Sequence, residues 1–337
     1  MTLRIGINGF GRIGRNVLRA AWDRDDVEFV HINDLTSDDM LAYLLRNDTV
    51  HGPFGRDVEA VDGGLKIDGR FIPVSAERNP RDIPWSAQNV DVVFECTGVF
   101  TKREAAAAHL EAGVRKVIIS APATGVDGTF VVGVNDHLLD PEKHHVVSNA
   151  SCTTNCLAPL VKVLDEQFGL VSGLVTTIHS YTMDQNLLDA AHRGGKMRRA
   201  RAAAQNMVPT STGAAKAIKL VLPHLDGKLD GLAVRVPTPN VSMVDLVANV
   251  ERAASAEEIN AAFEAAAGGP LNGVLAVSHE PVVSSDLIGN PHSSIIDAPL
   301  TQVKNGTLVK VMSWYDNEWG FSNRMVDLAL KLCGEAS

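Results

Sequence analysis

Long apolar runs are missing from this 337-residue chain. None approaches the roughly 18 residues that a membrane-spanning helix needs, so no membrane partner is expected. Cysteine is scarce: Cys96, Cys152, Cys156 and Cys333 are the whole complement. Four in a chain of this length make no disulfide scaffold, and no CxxC pair suggests zinc, so no metal is expected. Low-complexity tracts and solenoid-period repeats are absent, which excludes a disordered chain or a repeat array. Positive charge is in deficit, with 31 Lys and Arg against 40 Asp and Glu and a net charge of −9. Such a field repels phosphate backbones, so nucleic acid is not expected as the primary partner. The opening residues 1–7 lead directly into a strand, without the apolar core and small-residue cleavage site of a signal peptide. With so few cysteines, a reducing cytoplasm is the expectation. What is present, 45% hydrophobic and 21% charged residues over a length suited to two domains, is ordinary for a globular protein.

The first half alternates strand and helix patterns. Leu3 to Asn8 is an apolar run that opens onto Gly9-Phe10-Gly11-Arg12-Ile13-Gly14. A helical pattern follows, with Val17, Leu18, Ala21 and Trp22 on one face, and then a strand at Val27 to Ile32 ending at Asn33-Asp34. GxGxxG between a strand and a helix, with an acidic residue 20 positions after the last glycine, is a dinucleotide-binding pattern. Glycines let the backbone approach a pyrophosphate, and the helix N-terminus favours negative charge. Asp34 can accept from a ribose 2′-hydroxyl and would repel a 2′-phosphate, which favours NAD over NADP. Further strands are expected at 90–94, 114–120, 130–134 and 146–147, with a helix at 103–111 and an antiparallel insertion at about 53–73. This is a doubly wound parallel sheet, with ligands at the carboxyl ends of its strands.

Ser148 to Cys156 follows the last of these strands, and a helical pattern with Leu157, Leu160, Val161 and Leu164 begins there. Cys152 thus stands near a helix N-terminus, a location that lowers a thiol pKa. Its thiolate can attack a carbonyl carbon, and loss of hydride from the hemithioacetal leaves a thioester. Its backbone N–H can help to hold the oxyanion. Cys156, one turn deeper, reads as a buried small hydrophobe. His179, at the end of the β-branched run 175–180, can act as the base. Arg193, Lys196, Arg198, Arg199 and Arg201 crowd one loop of an acidic chain, which suits a small anion.

Four motifs then carry a resemblance over nearly the whole chain: residues 8–15 (NGFGRIGR), 148–156 (SNASCTTNC), 211–217 (STGAAKA) and 314–322 (WYDNEWGFS). In these the chain resembles the phosphorylating glyceraldehyde-3-phosphate dehydrogenase family. The resemblance implies a Rossmann-type NAD-binding domain over 1–151, completed by a C-terminal helix at 318–337, and a mixed α+β catalytic domain over 152–317. It implies oxidation of glyceraldehyde 3-phosphate to 1,3-bisphosphoglycerate in glycolysis or gluconeogenesis, with Cys152 as nucleophile and His179 as base. The cofactor positions so implied are Gly9, Gly11, Arg12, Ile13, Gly14, Asp34, Arg78, Ser120 and Asn317, the last fixing the nicotinamide carboxamide. One phosphate position resembles Thr182, Asp184, Arg199 and Arg235, with Arg198 and Arg199 interchangeable by one residue. The other resembles Ser151, Thr153, Thr212 and Gly213. Inorganic phosphate would be the second substrate, and a homotetramer the assembly.

One stretch departs from the family pattern. Many NAD-specific members carry Leu-Pro where this chain has Ala190-Ala191, and small residues there leave room for NADP as well. Arg193-Gly194-Gly195-Lys196 also replaces the usual Lys-Asp-Leu. Two alternatives compete. Erythrose-4-phosphate dehydrogenases hydrolyse the thioester with water, but usually lose the motif at 211–217 that is intact here. A non-enzymatic nucleic-acid-binding or redox-sensing paralogue would be marked by loss of Cys152 or His179, and both are present.

Overall fold

The computed structural model describes residues 2–334. The chain divides into two compact units, one of Met1–Val132, Asp136–Ser151 and Ser322–Ser337, the other of Gly133–Asn135 and Cys152–Phe321.

In the first unit the order is β1 (Leu3–Asn8), α1 (Arg12–Ala21), β2 (Val27–Asn33), α2 (Asp38–Arg46), β3 (Val58–Val61), β4 (Gly64–Ile67), β5 (Arg70–Ser75), β6 (Val92–Glu95), α3 (Arg103–Ala106), α4 (Ala108–Glu111), β7 (Lys116–Ile119), β8 (Gly128–Thr129) and β9 (Val146–Ser148). Its nine strands run β3-β4-β5-β2-β1-β6-β7-β9-β8. From β5 to β8 every pairing is parallel, whereas β3, β4 and β5 pair antiparallel, as the expected insertion. β1, β6 and β7 are almost wholly buried along their length. Continuous apolar runs do this because a parallel sheet is covered on both faces.

Two expectations for this unit are corrected. Phe130 to Val134 is buried but forms no strand; the pairing strand is β8, two residues earlier. Gly133 takes φ +81°, which turns the chain out of an extended path. The expected helix at 103–111 is two short turns, α3 and α4, broken at Ala107.

The second unit runs α5 (Cys152–Phe168), β10 (Leu170–Ser180), β11 (Val208–Ser211), α6 (Ala214–Val221), β12 (Leu229–Val236), β13 (Ser242–Val250), α7 (Ala256–Ala267), β14 (Leu275–Ser278), β15 (Ser294–Asp297), β16 (Gln302–Lys304) and β17 (Leu308–Tyr315). Its sheet is mixed, in the order β11-β12-β10-β13-β17-β15-β14. α5 packs across β10, β13, β15 and β17. β13 accordingly alternates buried and open positions, the mark of a sheet with one covered face. α8 (Trp319–Cys333) ends the described chain; from Ser322 it belongs to the first unit, where Lys331 pairs with Asp136 at 3.0 Å. Residues 335–337 of the helix expected at 318–337 lie outside the described residues.

Candidate functional site

The glycine turn of the first unit divides its labour residue by residue. Gly9 takes φ +92°, and a Cβ there would sit 2.7 Å from Thr97 N. A Cβ on Gly14 would collide with Gly9 O, so the third glycine lets α1 close on the turn. Gly11 differs: nothing lies within 4 Å of an added Cβ, and it stands at the N-cap of α1 with no side-chain cap. An open backbone at an uncapped helix N-terminus is the space a pyrophosphate takes, so these residues fit a dinucleotide. Asp34 follows β2, and its Oδ2 accepts Phe10 N–H at 2.7 Å while Oδ1 accepts Thr36 N–H at 2.9 Å. The carboxylate is thereby fixed beside the turn, with lone pairs left for a sugar hydroxyl. Arg12 is ion-paired with buried Asp48, Ile13 is half-buried, Arg78 is exposed after β5, and Ser120 follows β7.

In the second unit the parallel register of β10 and β12 sets His179 directly opposite Arg235. His179 is buried, and its Nδ1 lies 2.7 Å from Ser180 O. That carbonyl can only accept, so Nδ1 carries the proton and Nε2 presents a lone pair. Nε2 points at Cys152 Sγ, 3.6 Å away. Arg235 Nη1 donates to Ser180 O at 3.0 Å and to Thr182 Oγ1 at 3.3 Å, and lies 3.1 Å from His179 Nδ1. Arg235 Nε is buried without a hydrogen-bond partner. A buried guanidinium with a donor to spare is a ready partner for an anion.

Of the two adjacent arginines, Arg199 is the buried one. It pairs with Asp184, and its Nε donates to Thr210 Oγ1 at 3.0 Å. Arg198 is exposed on the same turn. Thr212 and Gly213 lead into α6, with Thr212 Oγ1 accepting Ala214 N–H at 3.2 Å. Asn317 is buried, and Ser242 donates to its Oδ1 at 2.8 Å, which leaves its NH₂ as the offering end.

Thr153 is placed differently from a free phosphate ligand. Its hydroxyl is buried, 2.9 Å from Tyr315 Oη, and with its own N–H it reaches the Cys152 sulfur. Tyr315 also meets Thr177 Oγ1 at 2.9 Å and packs edge-on to His179. Sequence reasoning missed Tyr315 and Ser242. Tyr315 falls within the motif 314–322, which was the one available signal; Ser242 gave none.

Cys152 is the first residue of α5. The lowered thiol pKa expected there is corrected: burial pushes the thiol up, against the pull of Arg235 and the Thr153 hydrogen bonds. Burial and Arg235 push His179 down to about 3. Moving the proton from Sγ to Nε2 creates no net charge, so burial opposes that transfer less than it opposes either ion alone.

Residues 3–103 match the model of the glyceraldehyde 3-phosphate dehydrogenase NAD binding domain, and residues 151–317 match that of the C-terminal domain. The chain belongs to the glyceraldehyde 3-phosphate dehydrogenase family. It is 59% identical to glyceraldehyde-3-phosphate dehydrogenase of Geobacillus stearothermophilus over 98% of each chain. It is 58% identical to glyceraldehyde-3-phosphate dehydrogenase 1 of Bacillus subtilis over 98% of each, and 53% identical to glyceraldehyde-3-phosphate dehydrogenase 2 of Trichormus variabilis over 97% of each. The family's Rossmann-type fold and its NAD cofactor hold for this chain, and the open approach at Gly11 and the carboxylate of Asp34 suit that cofactor.

Two outcomes follow from the site. Gly14→Ala should cost about 1–3 kcal/mol of overpacking and lower Tm, whereas Gly11→Ala should melt as the parent does and bind NAD more weakly. Melting curves and NAD titration decide it, and equal Tm values for both variants would contradict the division of roles. His179→Asn removes the proton acceptor, so the raised thiol then titrates alone. Its alkylation by iodoacetamide at neutral pH should fall about tenfold or more and recover as pH rises. An unchanged rate by peptide mapping would show that the thiol does not depend on His179.

Proposed function

We propose that the chain oxidises glyceraldehyde 3-phosphate to 1,3-bisphosphoglycerate through a thioester on Cys152, the glycolytic or gluconeogenic reaction. The observation that carries this reading is the contact of Cys152 Sγ with the lone pair of His179 Nε2 at 3.6 Å, inside a family whose relatives are named for that activity. We assign NAD binding to 1–151 with the helix from 318, and the chemistry to 152–317. NAD supplies the hydride acceptor; Gly9, Gly11, Arg12, Ile13, Gly14, Asp34, Arg78, Ser120 and Asn317 would hold it.

The thiol proton passes to His179 Nε2 as sulfur attacks the aldehyde carbon, and the oxygen takes it to give a hemithioacetal. Nε2 then withdraws the hydroxyl proton, which lets the carbonyl reform as a thioester once the hydride has left. An oxygen of inorganic phosphate attacks that carbonyl, the C–S bond breaks, and the departing sulfur takes back the proton held on Nε2, which restores the thiol and the neutral base. Arg235 and Arg199, with Thr182 and Asp184, hold one phosphate. Ser151, Thr212 and Gly213 are assigned to the other, with Thr153 at the sulfur. Phosphate attack is favoured over hydrolysis because the 211–217 turn into α6 keeps its hydroxyl and backbone donors.

Self-association as a homotetramer is supported by exposed apolar side chains. Met183, Leu187, Leu188, Met197 and Met207 are exposed along the loop after β10, and Leu174 and Leu232 on the open face of the second sheet. Among the described residues no helix is long and apolar enough to cross a membrane, and we assign the protein to the cytoplasm. Ala190 and Ala191 are exposed on the same loop, which leaves use of NADP beside NAD as part of the proposal.

Phosphate dependence tests the reading. With NAD and glyceraldehyde 3-phosphate but no phosphate, stopped-flow absorbance should show one burst of NADH that then stops, and arsenate should restore turnover. Continued turnover at the phosphate-saturated rate would replace phosphate attack with hydrolysis.

A further inference from the structure

A buried polar cluster lies behind the glycine turn, and the reaction makes no use of it. Glu95 ends β6 and His109 sits on α4; both are almost fully buried. Trp85 Nε1 donates to His109 Nδ1 at 3.0 Å. An indole N–H can only donate, so the His109 proton is on Nε2, and Glu95 Oε2 accepts it at 3.1 Å. The same oxygen accepts Asn8 Nδ2–H at 2.6 Å. The other oxygen, Oε1, accepts Thr97 N–H at 2.8 Å and the Thr97 hydroxyl. One carboxylate thus gathers four donors and ties α4, the end of β1 and the turn after β6 together.

That turn borders the dinucleotide site. β1 and β6 are parallel neighbours, and Gly9 leaves β1 so close to Thr97 that no Cβ fits between them. Asn8 precedes Gly9 and passes the network on, accepting Asn33 Nδ2–H at 2.8 Å just before Asp34. The network therefore reaches the glycine turn and the residue before the ribose-binding carboxylate, at the strand ends where ligands lie.

We propose that His109 is a positioning residue for the cofactor site, holding Glu95 so that the Thr97–Gly98 turn and Asn8 set the glycine turn for the dinucleotide. The proposal rests on the NAD reading above. Replacing His109 by Phe keeps a ring but leaves Glu95 Oε2 one donor short. Replacing it by Gln returns an amide N–H near the Nε2 position. Thr97→Val removes an exposed hydroxyl that donates to Glu95 and accepts the Val99 N–H at 3.0 Å, so it tests the same turn without disturbing the core.

The experiment is calorimetric titration of NAD, in parallel with melting curves and iodoacetamide labelling of Cys152. His109→Phe should raise the NAD Kd about tenfold, Thr97→Val should raise it in the same direction, and His109→Gln should return it toward the parent value. The alkylation rate without cofactor should stay the same in all three. A folded His109→Phe protein that binds NAD as tightly as the parent overturns the proposal. So does an alkylation rate that falls in step with affinity, because the effect would then be general. If His109→Phe does not fold, Thr97→Val decides alone: parent-like NAD affinity in that variant overturns the proposal. A parent protein that binds no NAD would instead remove the reading on which the proposal stands.

Discussion

Parallel pairing of β10 with β12 sets His179 and Arg235 side by side, and the chemistry of the second unit depends on that register. A slip of one residue in either strand would turn its own side chain to the other face of the sheet and part the pair. In register, Ser180 O receives the His179 Nδ1 proton and an Arg235 Nη1 proton together. One carbonyl therefore fixes the imidazole tautomer and the guanidinium position. α5 completes the set by delivering Cys152 at its first residue, on the lone-pair side of the ring.

The electrostatics of this group work against free ions. Burial disfavours a lone thiolate and a lone imidazolium, and Arg235 favours the first while opposing the second. Burial thus weighs against either ion alone, and a proton transfer between Sγ and Nε2, 3.6 Å apart, leaves the pair without net charge. Thr153 and Tyr315 add a pair of hydroxyl groups in mutual hydrogen bond, with the Thr153 hydroxyl on the sulfur. Thr153 thereby belongs to the environment of the thiol by its hydroxyl and its backbone N–H alike.

What the sequence showed followed from how local each feature is. The turn at Gly9 to Gly14, Asp34 and the strand-to-helix placement of Cys152 are each written in a few consecutive residues, and the structure has them there. The partnership of His179 with Arg235 spans 56 positions and depends on sheet register, so only the family resemblance suggested Arg235. The choice between Arg198 and Arg199 required knowing which one turns inward to Asp184. Phe130 to Val134 read as a strand because it is apolar and buried, and the positive φ of Gly133 was not visible in that pattern. Glu95 and His109 escaped notice because a buried acid and a histidine 14 residues apart carry no local signature.

The proposed reaction stands on a covalent intermediate at one sulfur. The most direct measurement is rapid acid quenching of the protein with NAD and glyceraldehyde 3-phosphate in the absence of phosphate, followed by peptide mass mapping. The account predicts a 3-phosphoglyceroyl adduct on the peptide bearing Cys152, located on that residue and discharged when phosphate is added before quenching. NADH formed with no acyl adduct on Cys152, or with the adduct on another residue, would contradict it.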